Sequence, residues 1–523
     1  METLNDLLDA AAASAGGRTA LVSDGERITF SELREESLRI ASNLERGGIS
    51  AGSRVAIVMR NGIPFIASYF AIVRLGATAV PINFMIQNEE ELSYLLRDSQ
   101  AAAAVTQPHF LPGLRRARGN ASALQTIWVL GTSAAELRPG EKPYEDLRAA
   151  SLRTGLFQAA AGDVAAVLYT SGTTGSPKGA MLTHGNLLSN ALDSSSRLGL
   201  SSRDSQLALL PMFHTFAWTA NVLVSLAVRS KLVIVDSVTP PAPWLRLMAK
   251  EKVTLFSAIP QVYSLLAREA SASLTKRLAL RYWFFRNVRL AISGAAPLGP
   301  EIHQAFERAL GVPLLEGYGL TETSPIVAVN TLSERRRGTV GRPIPGVSVR
   351  ILDQAGRALE TGEEGEVAVR GPNVMKGYLG KSQESADVMT GDGYFKTGDI
   401  GILDADGYLS IRDRAKDMII VKGLKVFPAH LERVLSEHPA VAESAVIGIP
   451  GADGSELIKA FVVLKPGSRA GKSEILEFCR ERLDAYKRPR ALEIVESLPK
   501  NSLQKVLKNE LRRRETAARK ASP

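Results

Sequence analysis

Alternation of strand-like and helix-like patterns is the feature that most restricts the fold of this chain. Strand-like VAIVM stands between the helical segments SELREESLRIASNLERGG and PFIASYFAIVRLG, all within residues 31–83. KLVIVDS, VTLFSAIP and VRLAIS follow, the last two each with a helical segment after it. Strand, helix and strand recurring at this spacing predicts parallel sheets with helices on both faces. Pro260 and Pro300 stand where helices are expected to begin, and Gly311 where one is expected to end.

The length of 523 residues exceeds what a single hydrophobic core usually supports, so two or more domains are expected. From Gly338 to Asp413 short strands and Gly, Pro and Asp turns dominate, which indicates a β-rich subdomain. Beyond Lys416 the α/β alternation returns. We therefore predict an α/β protein whose large N-terminal domain, residues 1–415, combines parallel-sheet α/β subdomains with a β-rich one. Residues 416–523 are predicted to form a small, mobile C-terminal α+β domain.

The segment YTSGTTGSPKGA, Tyr169 to Ala180, follows the apolar strand VAAVLY directly. Its three glycines allow main-chain N–H groups to approach anionic oxygens closely, its hydroxyls are hydrogen-bond donors, and Lys178 supplies a mobile charge. The segment therefore predicts a loop that grips phosphates; the alternative is a flexible Gly/Ser linker. It is not the common P-loop, since Pro177 precedes the lysine and Gly179 follows it.

This segment resembles the signature of the acyl-adenylate-forming (ANL) superfamily, which includes acyl-CoA synthetases, the adenylation domains of peptide synthetases, and beetle luciferases. Further segments resemble the superfamily's motifs in the right order: EGYGLTET from Glu316, GYFKTGD ending at Asp399, RDRAKDMIIVKG from Arg412, and LPKNSLQKVLK ending at Lys508. The resemblance extends from about Thr29 to Lys508. Among the superfamily's members, the chain resembles acyl-CoA synthetases, the fatty-acid–CoA ligases.

The resemblance implies a role for single residues of these motifs. Tyr318 would stack on adenine, Thr321 would contact a phosphate, and Glu322 would bind the Mg²⁺ that bridges the phosphates. Asp399 would accept hydrogen bonds from the ribose hydroxyls, and Arg414 would be a second ribose or phosphate contact. The remaining nucleotide or coenzyme A contacts that the resemblance implies are Thr170, Ser171, Gly172, Thr173, Thr174, Gly175, Lys178, Gly294, Ala295, Glu316, Gly317, Gly319, Lys422 and Gly423.

The C-terminal motif supplies the lysine that reaches the reacting carboxylate and the α-phosphate, and Lys505 matches it. Gln504 departs from the pattern, because a glycine usually precedes this lysine, and Lys500 and Lys508 nearby are alternatives. Lys416 matches the pivot about which the small domain rotates between the two half-reactions. The implied catalytic residues are Lys505, Lys178, Thr321 and His214.

The implied reaction forms acyl-AMP from ATP and a carboxylic acid, and a thiol then displaces AMP. The segment VKGLKVFPAHLE resembles the loop that lines the coenzyme A channel, so ATP, Mg²⁺ and coenzyme A are the expected cofactors. PMFHTFAWT, which contains His214, resembles the corresponding segment of acyl-CoA synthetases that act on fatty acids. Its aromatic residues Phe213, Phe216 and Trp218 suggest an apolar wall. A medium- or long-chain fatty acid is therefore expected. Alternatives are an aryl or other carboxylic acid, a fatty acyl-AMP ligase or acyl-carrier-protein synthetase, a luciferase-like oxygenase, and a non-catalytic nucleotide-binding protein.

Charge and cysteine content bound the partners and the compartment. The net charge is +10, and half of it lies in residues 501–523, where 7 Lys/Arg stand against 2 Asp/Glu. This tail contains no aromatic residue, so we expect no nucleic-acid partner, although a weak peripheral contact with membranes is open. The lone Cys479 excludes an internal disulfide, and no secretory signal or membrane span is expected, which predicts a cytoplasmic protein. Monomer and homodimer are both open.

Overall fold

The computed structural model describes residues 1–149, 157–170, 177–421, 424–450, 456–501 and 505–521. The chain divides into two compact units. The first contains Met1–Val349 and Val369–Phe395, and the second contains Arg350–Ala368 and Lys396–Pro523.

Helices and strands alternate along most of the described chain. The α-helices are α1 (Leu4–Ala15), α2 (Phe30–Arg46), α3 (Ile63–Arg74), α4 (Glu89–Asp98), α5 (Leu111–Arg118), α6 (Glu145–Arg148), α7 (His184–Arg197), α8 (Thr215–Ala217), α9 (Val224–Val228), α10 (Pro241–Lys250), α11 (Pro260–Ala272), α12 (Leu274–Ala279), α13 (Pro300–Leu310), α14 (Ser382–Asp387), α15 (Pro428–Ser436), α16 (Lys472–Arg482) and α17 (Lys508–Ala521). Two π-helical segments, Trp218–Leu223 and Leu280–Phe284, continue α8 and α12.

The strands are β1 (Thr19–Ser23), β2 (Glu26–Thr29), β3 (Arg54–Val58), β4 (Thr78–Pro81), β5 (Ala103–Thr106), β6 (Thr126–Val129), β7 (Glu141–Pro143), β8 (Val164–Thr170), β9 (Lys178–Thr183), β10 (Ser205–Ala208), β11 (Lys231–Ile234), β12 (Leu255–Ala258), β13 (Leu290–Ser293), β14 (Leu314–Gly319), β15 (Ile326–Val329), β16 (Arg342–Pro343), β17 (Ser348–Leu352), β18 (Glu364–Arg370), β19 (Gly377–Tyr378), β20 (Phe395–Leu403), β21 (Leu409–Arg414), β22 (Ile419–Val421), β23 (Leu424–Val426), β24 (Val441–Pro450), β25 (Glu456–Leu464) and β26 (Ala491–Ile494).

An eight-stranded sheet in the first unit has the order β19-β9-β8-β4-β3-β5-β6-β7. Its centre is parallel, and β4 and β5 are buried along their whole length, as expected for strands covered by helices on both faces. At one side β8 and β9 form an antiparallel hairpin that pairs Thr170 with Lys178. This hairpin therefore fixes both ends of the predicted phosphate loop.

A nine-stranded sheet in the same unit has the order β16-β15-β14-β13-β12-β10-β11-β1-β2. The pairs from β1 through β11, β10, β12 and β13 to β14 are parallel, while β15 runs antiparallel to β14. Strands β12 and β13 are fully buried. The carboxyl end of β14 carries the EGYG residues, so it is an edge where ligands commonly bind in such folds.

The second unit contains three smaller sheets, with the orders β17-β18-β20-β21, β22-β23 and β24-β25-β26. Helices α15 and α16 pack on β24–β26 through buried side chains that include Leu431, Leu435, Ile475 and Cys479. Cys479 is fully buried, and this burial raises the pKa of its thiol to about 11. It is therefore a structural side chain.

The predicted α/β class is confirmed. Helices begin at Pro260 and Pro300, and Gly311 ends α13 with a left-handed φ of 70°, as its position predicts. Strand β19, from the region predicted to be a β-rich subdomain, instead extends the eight-stranded sheet beside β9. Among the described residues, no helix combines the length and the apolar character needed to cross a bilayer.

The compact units divide the chain elsewhere than at Lys416. Asp399 and Arg414 belong to the second unit, together with Lys416 and Lys505. The compact units show which residues pack together, and they do not show about which residue the small domain rotates. The boundary at Lys416 therefore stays a prediction.

Candidate active site

Lys178 is held by two residues outside its own motif. It is the first residue of β9, and its Nζ lies 2.5 Å from Oε2 of Glu384 on α14. The same ammonium lies 5.2 Å from the centre of the Tyr378 ring. The ion pair lowers the pKa of Glu384 below its ordinary value, so that carboxylate is charged at neutral pH. Lys178 is therefore positioned between an anion and an aromatic face.

Tyr378 also contacts the proposed magnesium residue. Its hydroxyl donates a hydrogen bond of 2.9 Å to Oε1 of Glu322, and the main-chain N–H of Met375 donates to the carbonyl of Glu322. Burial, and then the charge of Glu322, raises the pKa of Tyr378, so the hydroxyl stays a donor. Glu322 and Lys178 thus share one aromatic side chain.

Glu322 fits a magnesium ion that is also held by phosphates. It is half-buried in the 3₁₀ turn Thr321–Thr323, and its carboxylate offers the hard oxygen that Mg²⁺ prefers. Over the described residues, no group of three or more His, Cys, Asp or Glu side chains is arranged to hold a metal. A single protein carboxylate suits Mg²⁺, which usually keeps several waters and takes phosphate oxygens as ligands.

Residues 316–319 and 294–295 meet at the ends of neighbouring parallel strands. Ser293 pairs with Glu316 between β13 and β14, which places Gly294 beside the start of the EGYG segment. Burial raises the pKa of Glu316 to about 7. Gly319 cannot be replaced without rearrangement, because an added Cβ would lie 1.8 Å from the carbonyl oxygen of Pro325.

His214 precedes α8, and its carbonyl accepts a hydrogen bond from the main-chain N–H of Trp218. Its ring centre lies 4.3 Å from that of Phe213. Burial lowers the pKa of His214 to about 4, so the imidazole is neutral at pH 7. A neutral ring can accept or donate a hydrogen bond but supplies no positive charge.

The predicted apolar wall is only partly formed by the three aromatics that suggested it. Trp218 is buried and stacks on Tyr69 with 3.9 Å between ring centres, and Phe213 packs against Phe84. Phe216 is half-buried, and its nearest ring atom, Cζ, lies 3.0 Å from where a Cβ on Gly294 would stand. Of the three aromatics, Phe216 is therefore the one at the Gly294 strand end, while the other two fill the core.

In the second unit, Asp399 and Arg414 are cross-strand partners on β20 and β21. Their side chains form an ion pair with 2.9 Å between Nε of Arg414 and Oδ1 of Asp399. Asp399 is buried. The two proposed ribose contacts thus hold each other in a fixed geometry.

Lys505 lies near both cations and carboxylates: Arg414 and Lys416 disfavour its charged form, and Asp399 and Asp417 favour it. Its main-chain N–H donates to Oδ1 of Asn501, and its carbonyl accepts from the N–H of Asn501. Desolvation of the ammonium, followed by repulsion from Arg414, lowers the pKa of Lys505 to about 8, although the residue as a whole keeps an exposed surface. Desolvation and Arg414 also lower the pKa of Lys416. Within the described part of the chain, no carboxylate forms an ion pair with Lys505.

The two alternative lysines both form ion pairs. Lys500 lies 2.7 Å from Glu443, and Lys508 lies 2.8 Å from Oε1 of Glu432, which also accepts from the N–H of Val446. This pairing favours Lys505 as the reactive lysine, and the assignment stays a prediction. Ser171, Gly172, Thr173, Thr174, Gly175, Lys422, Gly423 and Gln504 lie outside the described residues.

Sequence reasoning missed Tyr378 and Glu384. They stand about 200 positions after Lys178 and belong to none of the motifs that the sequence offered. Their contact with Lys178 follows from the pairing of β19 with β9, which sets Tyr378 opposite Ala180. No local pattern in the sequence announces this pairing.

Comparison with known proteins agrees with this geometry. Residues 8–379 match the family model for an AMP-binding enzyme, and residues 430–505 match that for the AMP-binding enzyme C-terminal domain. A long-chain-fatty-acid–CoA ligase of Bacillus subtilis (strain 168) is 32% identical over 98% of this chain and 95% of that protein. A feruloyl-CoA synthase of an Amycolatopsis species is 35% identical over 95% of this chain and 96% of that protein.

Among solved structures, the anthranilate CoA ligase AuaEII in complex with anthranoyl-AMP superimposes with a TM-score of 0.89. The two chains are 29% identical, and the match covers 99% of this chain and 98% of the ligase. The resemblance to the acyl-adenylate-forming superfamily, and the assignment of an acid–thiol ligase, are confirmed by these matches. The chain belongs to the AMP-binding enzyme family.

Proposed function

We propose that this protein is an AMP-forming ligase that joins a fatty acid of medium or long chain to coenzyme A, with ATP and Mg²⁺ as the other requirements. The observation that carries the proposal is the contact chain Lys178, Tyr378 and Glu322. One aromatic side chain orients a cation at 5.2 Å and a carboxylate at 2.9 Å. A cation and a magnesium-type ligand held together are what the phosphates of a nucleotide require.

The first half-reaction joins the acid carboxylate to the α-phosphorus of ATP and releases pyrophosphate. The carboxylate is already ionised at neutral pH, so the step needs no general base. What it needs is positive charge where negative charge develops. Lys178 and Lys505 are proposed to supply it, and Thr321 is proposed to contact a phosphate. Bound Mg²⁺ would add its charge at the phosphate oxygens beside Glu322.

In the second half-reaction the thiol of coenzyme A attacks the acyl carbonyl, and AMP leaves. The Asp399–Arg414 pair is proposed to hold the ribose, and Tyr318 is proposed to stack on adenine. His214, neutral at pH 7, is proposed to border the acyl carbonyl and the thiol without adding charge. Rotation of the small domain about Lys416 between the steps, and contact of Lys422 and Gly423 with coenzyme A, remain proposals from the resemblance.

The fatty-acid assignment rests on the segment around His214 and on the similarity to the Bacillus ligase. An aryl carboxylic acid is the second candidate, since the feruloyl-CoA synthase is 35% identical and Phe216 presents a flat ring close to Gly294. A cytoplasmic location, a monomeric or homodimeric state and a weak membrane contact of the basic C-terminal tail also remain predictions.

A panel assay tests the reaction and the acid together. Purified protein with MgATP is given fatty, aryl and amino acids, each with and without coenzyme A, and pyrophosphate, AMP and thioester are measured. Formation of thioester from fatty acids alone would support the proposal. Formation of thioester from aryl acids alone would show that the substrate is an aryl carboxylic acid instead. Pyrophosphate without thioester would instead indicate an acyl-AMP ligase that needs a carrier protein.

A further inference from the structure

The segment that follows α11 exposes more large apolar side chains than a solvated helix requires. Leu274 is 65% exposed, Leu278 44%, and Tyr282 and Trp283 are 63% exposed each. Leu274, Leu278 and Tyr282 recur every four residues, so they form one stripe along α12 and the π-helical segment after it. We call residues 274–286 the apolar–basic surface.

The stripe faces outward because the same segment is anchored from its other side. Leu280 and Phe285 are buried in the core of the nine-stranded sheet, and the Phe285 ring packs edge-on against Phe256. The π-helical turn Leu280–Phe284 widens the backbone between these anchors. Tyr282 and Trp283 are thus presented to solvent by a segment with fixed ends.

Cations surround the stripe. Between residues 268 and 286 there are five Lys or Arg residues and one acid, Glu269, which pairs with Lys276 at 2.8 Å. Arg281 and Arg286 lie 5.4 and 5.9 Å from the ring centres of Tyr282 and Trp283, respectively. Arg277 and Arg286 are exposed. The surface therefore combines aromatic and aliphatic side chains with a local excess of positive charge.

We propose that the apolar–basic surface docks on the headgroup region of anionic phospholipid membranes. Tyr and Trp prefer the membrane–water boundary, where their rings are buried and their polar atoms stay hydrated. Leu274 and Leu278 would enter the acyl boundary on the same stripe, while the cations meet anionic headgroups. The proposal does not rest on the identity of the acid that the enzyme activates.

The basic C-terminal helix is the rival site for such a contact. Residues 508–521 carry six Lys or Arg residues but no aromatic one, and Leu511 is buried in the second unit. Charge without apolar insertion gives membrane attraction that salt removes readily. Substitution of exposed apolar side chains therefore distinguishes the two surfaces, because it should weaken membrane binding only if the apolar–basic surface makes the contact.

Tryptophan fluorescence of the full chain gives a direct readout. Trp283 is 63% exposed, whereas the other three tryptophans, Trp128, Trp218 and Trp244, are at most 2% exposed. Vesicles of equimolar phosphatidylcholine and phosphatidylglycerol should shift the emission to the blue, and lipids brominated in the acyl chain should quench it. Vesicles of phosphatidylcholine alone should do so much more weakly.

Vesicle sedimentation of variants locates the contact. Tyr282→Ser with Trp283→Ser should weaken binding to the anionic vesicles by on the order of 10-fold or more. Arg277→Gln and Arg286→Gln should each weaken it about five-fold. Leu332→Ser, at another exposed apolar residue, and the tail variant Arg513→Gln with Arg514→Gln are the controls and should bind as the unsubstituted protein does.

Several outcomes overturn the proposal: no binding to the anionic vesicles, binding that the Tyr282 and Trp283 substitutions leave unchanged, or loss only in the tail variant. A dimer in solution that Trp283→Ser dissociates, without vesicle binding, would assign the surface to a second copy of the chain instead. Unchanged thermal unfolding of each variant shows that loss of binding is not loss of fold.

Discussion

Lys178 and Lys505 are both proposed to meet the phosphates of ATP, yet their surroundings differ. Lys178 stands in the first unit against the carboxylate of Glu384 and the ring of Tyr378. Lys505 stands in the second unit near the cations Arg414 and Lys416 and the carboxylates Asp399 and Asp417, and desolvation is the main cause that lowers its pKa to about 8. Lys178 is held by a direct ion pair, whereas the ammonium of Lys505 forms no ion pair among the described residues and its charged form is disfavoured mainly by desolvation. The first is a fixed element of the site, and the second depends on its ligand for stabilisation.

The largest effect is expected from Lys505→Ala. Adenylation should slow by on the order of 10²-fold or more, because charge at the reacting phosphate is lost. Conversion of supplied acyl-AMP to thioester should change little. Pyrophosphate exchange and thioester formation measure the two steps, with Lys500→Ala, five residues away and paired with Glu443, as the matched control. Equal loss of both steps would show that Lys505 is misassigned.

Lys508→Ala should act on stability instead. The substitution leaves the mostly buried carboxylate of Glu432 without its cationic partner. Because both side chains retain some accessible surface, we expect the free energy of unfolding to fall by about 2 kcal/mol. Urea denaturation measures this change. Lys500→Ala breaks a more exposed pair and should cost less than about 1 kcal/mol. A stable Lys508→Ala protein that has lost adenylation would transfer the catalytic role to Lys508.

Glu322→Ala tests the carboxylate that accepts the hydrogen bond from Tyr378. The Mg²⁺ concentration for half-maximal pyrophosphate exchange should rise on the order of 10-fold, and excess Mg²⁺ should recover part of the rate. Tyr378→Phe keeps the ring beside Lys178 but removes the hydrogen bond to Glu322, so it should give a smaller rise. An unchanged Mg²⁺ dependence in Glu322→Ala would remove this residue from the metal site.

The pH profile of the reaction tests the lowered pKa of Lys505. Because its folded-state pKa is lowered to about 8, the cationic form is lost as pH rises through that value. The kcat/KM for ATP, which reports the free enzyme, should fall up to about tenfold per unit above pH 8. Lys505→Arg keeps its charge and should flatten this limb. A wild-type profile that stays level to pH 10 would contradict the lowered pKa.

The smallest effect is expected from Glu384→Gln. It removes the anion that competes with phosphate for Lys178, so the KM for ATP should fall about two- to five-fold with little change in kcat. Asp387→Asn, on the same short helix, is the control and should leave KM unchanged. A rise in KM would mean that Glu384 orients Lys178 for ATP rather than competing with it.

Most of the fold was predictable because its signals are local. Apolar runs, Pro at helix starts and Gly311 at a helix end depend on residues close in sequence, and the structure reproduces them. Trp218 shows where such reasoning fails. Its place in an aromatic segment suggested a substrate wall, but packing against Tyr69 decides that it lies in the core.

By itself, the sequence determined the alternating α/β architecture, the family and the identity of the charged motif residues, since each is written in contiguous residues. The tertiary structure decided which residues those motifs meet. Tyr378 joins Lys178 to Glu322 because β19 pairs with β9. Glu432 forms an ion pair with Lys508, whereas Lys505 forms no ion pair among the described residues. Such contacts depend on strand order and side-chain direction between distant segments, which no local pattern of residues encodes.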